Sequence, residues 1–200
     1  MTKPSFFGQF LKHSGQVGSV VPSSGFLIRK MLPAALPWHK MVQIAELGPG
    51  TGVFTRYIQK QMNTQSRLYL FEQNEQFRND LERRFPQFQV LDDALKLGEV
   101  VRQTGRPFDL IVSGLPFANF SGELQVRLFQ SIHDALADNG TFVAFQYTLL
   151  LQKQFQKYFV AVDRGYTWMN IPPAWVFKCK KRRGKTVNHE TAANCGIGSL

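Results

Sequence analysis

Between Val42 and Val160 the chain alternates short apolar runs with stretches whose apolar residues recur every three to four positions. Short apolar runs bounded by turn residues read as buried strands, and the longer repeat reads as one face of a helix. The pattern predicts strands at 42–47, 67–72, 88–91, 108–113 and 141–147. Helices are predicted from 53 to about 62, over 75–85, up to about 103, over 123–137 and over 149–160. Pro86 stops one of these helices and Asn139-Gly140 closes another. Two late strands, 166–170 and 174–179, flank Pro172-Pro173. Alternation of strand and helix argues an α/β protein with a mainly parallel sheet covered on both faces. The last two strands have too little chain between them for a parallel crossover, so they should form an antiparallel pair at one edge.

The flanks follow a different pattern. Phe6, Phe7, Phe10 and Leu11 fall at helical spacing and form one apolar stripe, which Gly15 and Gly18 interrupt. Ser23 or Ser24 can cap a second helix to about Leu32, in which Phe26, Leu27 and Met31 pack while Arg29 and Lys30 face out. Residues 184–200 are polar and without period. The expected organisation is an N-terminal helical segment at 1–41, a domain at 42–183 and a polar, basic tail at 184–200.

Composition narrows the class. With 44% hydrophobic and 19% charged residues, the chain is not intrinsically disordered. No apolar run is long enough to cross a bilayer, and the first residues lack a secretory-signal pattern. Cys179 and Cys195 are too few for a disulfide framework, so a reducing cytoplasm is expected. The net charge of +10 is unevenly placed: residues 1–45 carry +5 with no acid, residues 178–200 carry +5, and the middle sums to zero. Basic ends on a neutral body suit a polyanion, either a phosphate backbone or an anionic lipid surface. The four histidines are scattered and mark no metal site.

The chemistry centres on Glu46-Leu47-Gly48-Pro49-Gly50-Thr51-Gly52. It follows the first strand, where open α/β sheets bind ligands. Its spacing is E-x-G-x-G-x-G, without the glycine placement of a dinucleotide fingerprint, so a nucleoside lacking a pyrophosphate is the better ligand. Glu72, at the end of the second strand, can accept hydrogen bonds from ribose hydroxyls. Asp93, at the end of the third, can accept one from an adenine amine, while Asp92 is a helix cap or faces solvent. Together these residues resemble the class I S-adenosylmethionine-dependent methyltransferases, over about residues 42–180. That resemblance implies a Rossmann-like, seven-stranded, mostly parallel sheet with a late antiparallel pair. It places Gly48, Gly50 and Gly52 along the methionine end of S-adenosylmethionine, Glu46 beneath it, Glu72 at the ribose, Asp93 at the adenine and Ser113 beside the cofactor.

After the fourth strand comes Ser113-Gly114-Leu115-Pro116-Phe117-Ala118-Asn119-Phe120. Adenine-amine methylases commonly carry asparagine where Gly114 stands and an aromatic ring that stacks on the base. Without that asparagine, the chain is more similar to the bacterial phospholipid N-methyltransferases that act on phosphatidylethanolamine. The shared stretches are Ala45 to Thr55, Arg83-Arg84-Phe85-Pro86, Val112 to Pro116, Asn119-Phe120, Phe145-Gln146-Tyr147 and Asn170 to Ala174, with Val21-Pro22-Ser23-Ser24 before them. Leu149-Leu150-Leu151 departs from the family, replacing a proline-containing loop.

The resemblance implies methyl transfer to a lipid head-group amine. Gly114, Leu115 and Pro116 would form the acceptor loop. Tyr147 would accept or relay the amine's proton and offer its ring to a methylammonium. The protein is expected in the cytoplasm, peripherally bound to anionic membranes through Phe6, Phe7, Phe10, Lys3, Lys12, Arg29 and Lys30. Two rivals remain: a ribosomal RNA adenine methyltransferase, and a non-catalytic cofactor-binding domain that contacts RNA or membrane.

Overall fold

The computed structural model describes residues 22–167 and 173–181. A helix, α1 (Pro22–Met31), precedes an alternating series: β1 (Gln43–Leu47), α2 (Val53–Gln61), β2 (Arg67–Phe71), α3 (Glu75–Arg84), β3 (Gln89–Leu91), α4 (Leu97–Thr104), β4 (Phe108–Ser113), α5 (Gly122–Ala135) and β5 (Leu136–Gln146). The last described elements are α6 (Gln152–Tyr158), β6 (Phe159–Thr167) and β7 (Ala174–Lys181). They form one seven-stranded sheet in the order β3-β2-β1-β4-β5-β7-β6. Only β7 runs antiparallel, and it lies between β5 and β6. The expected Rossmann-like sheet with a late antiparallel pair is therefore the fold found.

Helices cover both faces. On one, Leu97 and Val100 of α4, Leu128, Phe129 and Ile132 of α5, and Phe155 and Tyr158 of α6 pack against the sheet. On the other, Leu27 and Met31 of α1, Ile58 of α2 and Leu81 of α3 pack against Ile44, Leu70, Leu110, Val143 and Val176. Burial on both faces explains why β1 is buried at every position instead of alternating.

Three expectations are corrected. The helix predicted to end at 137 ends at Ala135, and Asn139-Gly140 lies within β5. There Leu136 pairs with Phe108 while Thr141 pairs with Leu110, so the intervening residues bulge from the ladder. The helix predicted over 149–160 shortens to α6, because Phe159 and Val160 leave it to pair with Lys181 and Lys180. The late strand predicted at 166–170 is thus a longer one beginning at Phe159. Ahead of β1, Leu27, Met31, Leu32, Trp38 and Met41 share a core with Ile44.

Candidate active site

β1 ends against a backbone that must reverse in a few residues. Gly48, Gly50 and Gly52 all take positive φ, at 68°, 53° and 73°. No described residue other than glycine does so. The region disfavours a Cβ, and packing adds a second reason for glycine. A Cβ on Gly48 would stand 2.9 Å from Leu115 Cδ2, and one on Gly52 2.9 Å from Phe85 Cε2. The loop is clamped from outside by Arg84, whose guanidinium donates to the Thr51 carbonyl at 2.9 Å and pairs with Asp80.

Two carboxyl groups face this loop. Glu46 is buried and accepts a hydrogen bond from the Thr55 hydroxyl at 2.7 Å. Its Oε1 is buried without a partner. Burial pushes its pKa from 4.5 up to about 8; the Thr55 hydrogen bond opposes that rise and the nearby Glu72 charge adds to it. Glu72 is held by two backbone donors, Gly50 N–H at 3.0 Å and Asn74 N–H at 2.9 Å. Each carboxylate oxygen retains a lone pair after one such bond, so Glu72 keeps acceptor capacity. Asp93 follows β3, but the capping role expected of Asp92 falls to it: its Oδ1 accepts from Leu95 N–H at 2.8 Å. Asp92 faces solvent, the other role expected of it, and pairs with Lys96.

The segment after β4 packs directly on the glycine loop. Gly114 donates to the Leu47 carbonyl at 2.8 Å. A Cβ at Gly114 would stand 2.9 Å from the Gly48 carbonyl oxygen, so the asparagine of adenine methylases has no room here. Ser113 is fully buried and its hydroxyl accepts from Leu115 N–H at 3.2 Å. The Leu115 carbonyl accepts both Phe117 N–H and the Gln146 side-chain amide, which fills its two lone pairs. Phe117 is fully buried and stacks on Phe129 at 4.9 Å, so it belongs to the core and presents no face to a base.

Tyr147 lies just past β5, one residue beyond Gln146. Its ring meets Phe145 edge-on at 5.8 Å, and its hydroxyl is buried without a partner. Burial pushes the phenol up to about 12. It therefore stays protonated near neutral pH, and its oxygen offers lone pairs to a donor without acting as a phenolate base.

The structure thus brings Glu46, Gly48, Gly50, Gly52, Glu72, Ser113, Gly114 and Leu115 together at the carboxyl edge of the sheet. Thr55, Arg84 and Gln146 join them, although the sequence reading assigned them no role. Gln146 is detectable in hindsight as a polar residue inside a buried strand. Of the expected membrane contacts, Arg29 and Lys30 are exposed. The Arg29 guanidinium lies 4.9 Å over the Phe26 ring, which is itself exposed, and Lys30 covers Gly165 of β6. Phe6, Phe7, Phe10, Lys3 and Lys12 lie outside the described residues. A cavity of about 550 Å³ lined by Gln59, Asn63, Arg67 and Gln87 sits at the opposite, amino edge of β2 and β3. Among the described residues no cluster of His, Cys, Asp or Glu could hold a metal. Nor is any described helix long and apolar enough to cross a membrane.

No family model matches the chain. An ornithine lipid N-methyltransferase of Singulisphaera acidiphila is 32% identical over 181 residues, covering 88% of this chain and 94% of that protein. Among solved structures, the N-methyltransferase NodS of Bradyrhizobium japonicum WM9, in complex with S-adenosyl-L-homocysteine, aligns with a TM-score of 0.66. It is 14% identical and covers 88% of this chain and 98% of that one. A TehB-like S-adenosylmethionine-dependent methyltransferase of Corynebacterium glutamicum aligns at 0.61, with 18% identity, covering 88% and 96%. An rRNA methylase of Streptococcus thermophilus aligns at 0.54, with 15% identity, covering 79% and 93%. The structural likenesses establish the fold and do not choose an acceptor. The glycine loop, its two carboxyl groups and the similarity over nearly the whole length of the Singulisphaera enzyme lead to one conclusion: this chain belongs to the S-adenosylmethionine-dependent class I N-methyltransferases.

Proposed function

We propose that the chain methylates the primary amine of a membrane-lipid head group. The observation that carries this reading is the 32% identity, over 94% of its length, to an enzyme named for N-methylation of ornithine lipid. Phosphatidylethanolamine, to which the sequence resemblance points, offers the same chemistry: a primary alkyl amine tethered to acyl chains. The acceptor loop supports the reading by what it withholds from a nucleic base. Gly114 leaves no room for an amide side chain, the Leu115 carbonyl is already filled, and Phe117 is committed to the core.

The positive-φ glycines give a ligand close access to the backbone, and Glu72 is aimed by two backbone donors. The unpartnered Glu46 oxygen suits a cationic or hydrogen-bond-donating group nearby. These features fit S-adenosylmethionine, with Glu46 and the three glycines at its methionine end, Glu72 at its ribose and Asp93 at its adenine. When bound, the cofactor supplies an electrophilic methyl group on a sulfonium. The amine attacks only when neutral, so it gives its ammonium proton to water before attack. The Tyr147 hydroxyl accepts a hydrogen bond from the amine and aligns its lone pair, and the ring face stabilises the cation that forms. Gln146 holds the acceptor loop in place through Leu115. Residues 42–183 with α1 form the catalytic body, with Ser113 beside the cofactor and Pro116 in the acceptor loop.

The test is incubation of the purified chain with methyl-labelled S-adenosylmethionine and one of three acceptors: phosphatidylethanolamine vesicles, ornithine lipid vesicles or unmodified ribosomal RNA. Label in lipid is the expected result, and the two lipid arms identify the head group. Label in RNA alone, or in none, overturns the reading. Tyr147→Phe should lower lipid turnover roughly 10- to 100-fold, the worth of one hydrogen bond to a charged group, with cofactor affinity unchanged. Equal turnover would remove Tyr147 from the mechanism.

A further inference from the structure

Immediately after Tyr147 the chain makes a turn that leaves leucine side chains in water. Leu151 is buried in the core, and Gln152 N–H closes the turn on the Leu149 carbonyl at 2.9 Å. With its neighbour so anchored, Leu150 projects outward and is 81% exposed, and Leu149 is 39% exposed. An exposed leucine alone is ordinary, but one that adjoins further apolar and aromatic surface marks an interaction site.

Two further features share this edge and this face. Tyr166, at the end of β6, is half exposed and packs on Trp175, at the start of β7, with ring centroids 4.7 Å apart. Trp175 lies opposite Gln146 in the β5–β7 ladder, so the aromatic pair sits level with the end of β5. It packs against the same core as Leu151 and Phe155, on the side that α6 covers. Tyrosine and tryptophan, apolar in body and polar at the tip, are the side chains that settle at a bilayer's head-group level. Behind the turn, Lys153 and Lys157 are exposed on successive turns of α6. No carboxylate occurs from Tyr147 to Val160, and Asp163 on β6 is paired with Lys178.

We propose that Leu149, Leu150, Tyr166 and Trp175 form a rim that docks on an anionic bilayer, with the leucines entering the acyl boundary and Lys153 and Lys157 meeting the head groups. The inference rests on the lipid reading of the acceptor and adds how the site meets it. The rim borders the acceptor side, so docking here sets the site's mouth against the membrane plane. A lipid amine then needs to rise only a short way from the bilayer.

The experiment uses the full chain and vesicles of phosphatidylcholine, with and without phosphatidylglycerol. Wild type should sediment with the anionic vesicles and less so at high salt. Leu150→Glu should weaken sedimentation roughly tenfold or more, and Leu150→Phe, which keeps an apolar tip, should retain it. Both variants should bind S-adenosylmethionine as wild type does, showing that they fold. Turnover of Leu150→Glu should fall on vesicles and stay at the wild-type level on the same lipid in short-chain, monomeric form. Equal sedimentation of Leu150→Glu and wild type overturns the proposal, as does a wild type that RNA retains and vesicles do not. Failure of wild type to methylate either form of lipid defeats the lipid reading, while the sedimentation comparison still judges the rim.

Discussion

Glu46 shows how one buried atom couples the site to stability. Its carboxyl is raised from 4.5 to about 8, chiefly by burial. An acid raised in the native state contributes fully only while the unfolded carboxyl is also protonated, below about pH 4.5. As pH climbs towards 8, the unfolded chain ionises and the native one does not, so stability is lost across that window. Glu46→Gln should match wild type near pH 4 and exceed it at pH 8, by on the order of 4 kcal/mol. Urea unfolding at a series of pH values checks this. The same substitution should weaken S-adenosylmethionine binding, which calorimetry reads, since it removes the carboxylate that a cationic ligand would draw out. A pH-independent difference between the two proteins would place the titration elsewhere.

Among the elements, the acceptor loop and α5 form one mechanical unit. Phe117 leans on Phe129, which also meets Phe155 of α6 at 5.1 Å. Phe129→Ala should destabilise the protein by about 3–5 kcal/mol. It should also lower turnover more than cofactor affinity, because the loop loses its backing while the glycine turn does not; thermal unfolding and a comparison of kcat with cofactor Kd test both parts. The loop's position after β4 was legible in the sequence, as were the strand-helix alternation and the glycine spacing, because these are local patterns. The commitment of Phe117 to the core was not, since an aromatic beside Pro116 reads equally well as a ligand platform until α5 and α6 are placed. Likewise Phe159 and Val160 continue a helical repeat in sequence, and only pairing with β7 makes them strand. Gly114 read as a missing asparagine; the structure shows that the Gly48 carbonyl fills the space.

For the whole molecule, charge was readable from the chain and the two-sided core from its periodicity, but the carboxyl-edge rim depends on three separated segments meeting. One topological feature, β7 lying between β5 and β6, governs how the molecule is made. On the ribosome, β5 emerges with one edge paired to β4 and the other bare, and β6 emerges with no neighbour at all. Both wait for β7, some 30 residues after β5 ends, to leave the exit tunnel. Until then the nascent chain exposes a long apolar strand edge, the kind that pairs with other chains. Folding should therefore be late and abrupt: nascent chains stalled before Ala174 emerges should be protease-sensitive and chaperone-bound, and those extended past Lys181 should be resistant. Early resistance would mean that the first five strands form a stable nucleus and that β7 enters a sheet already built.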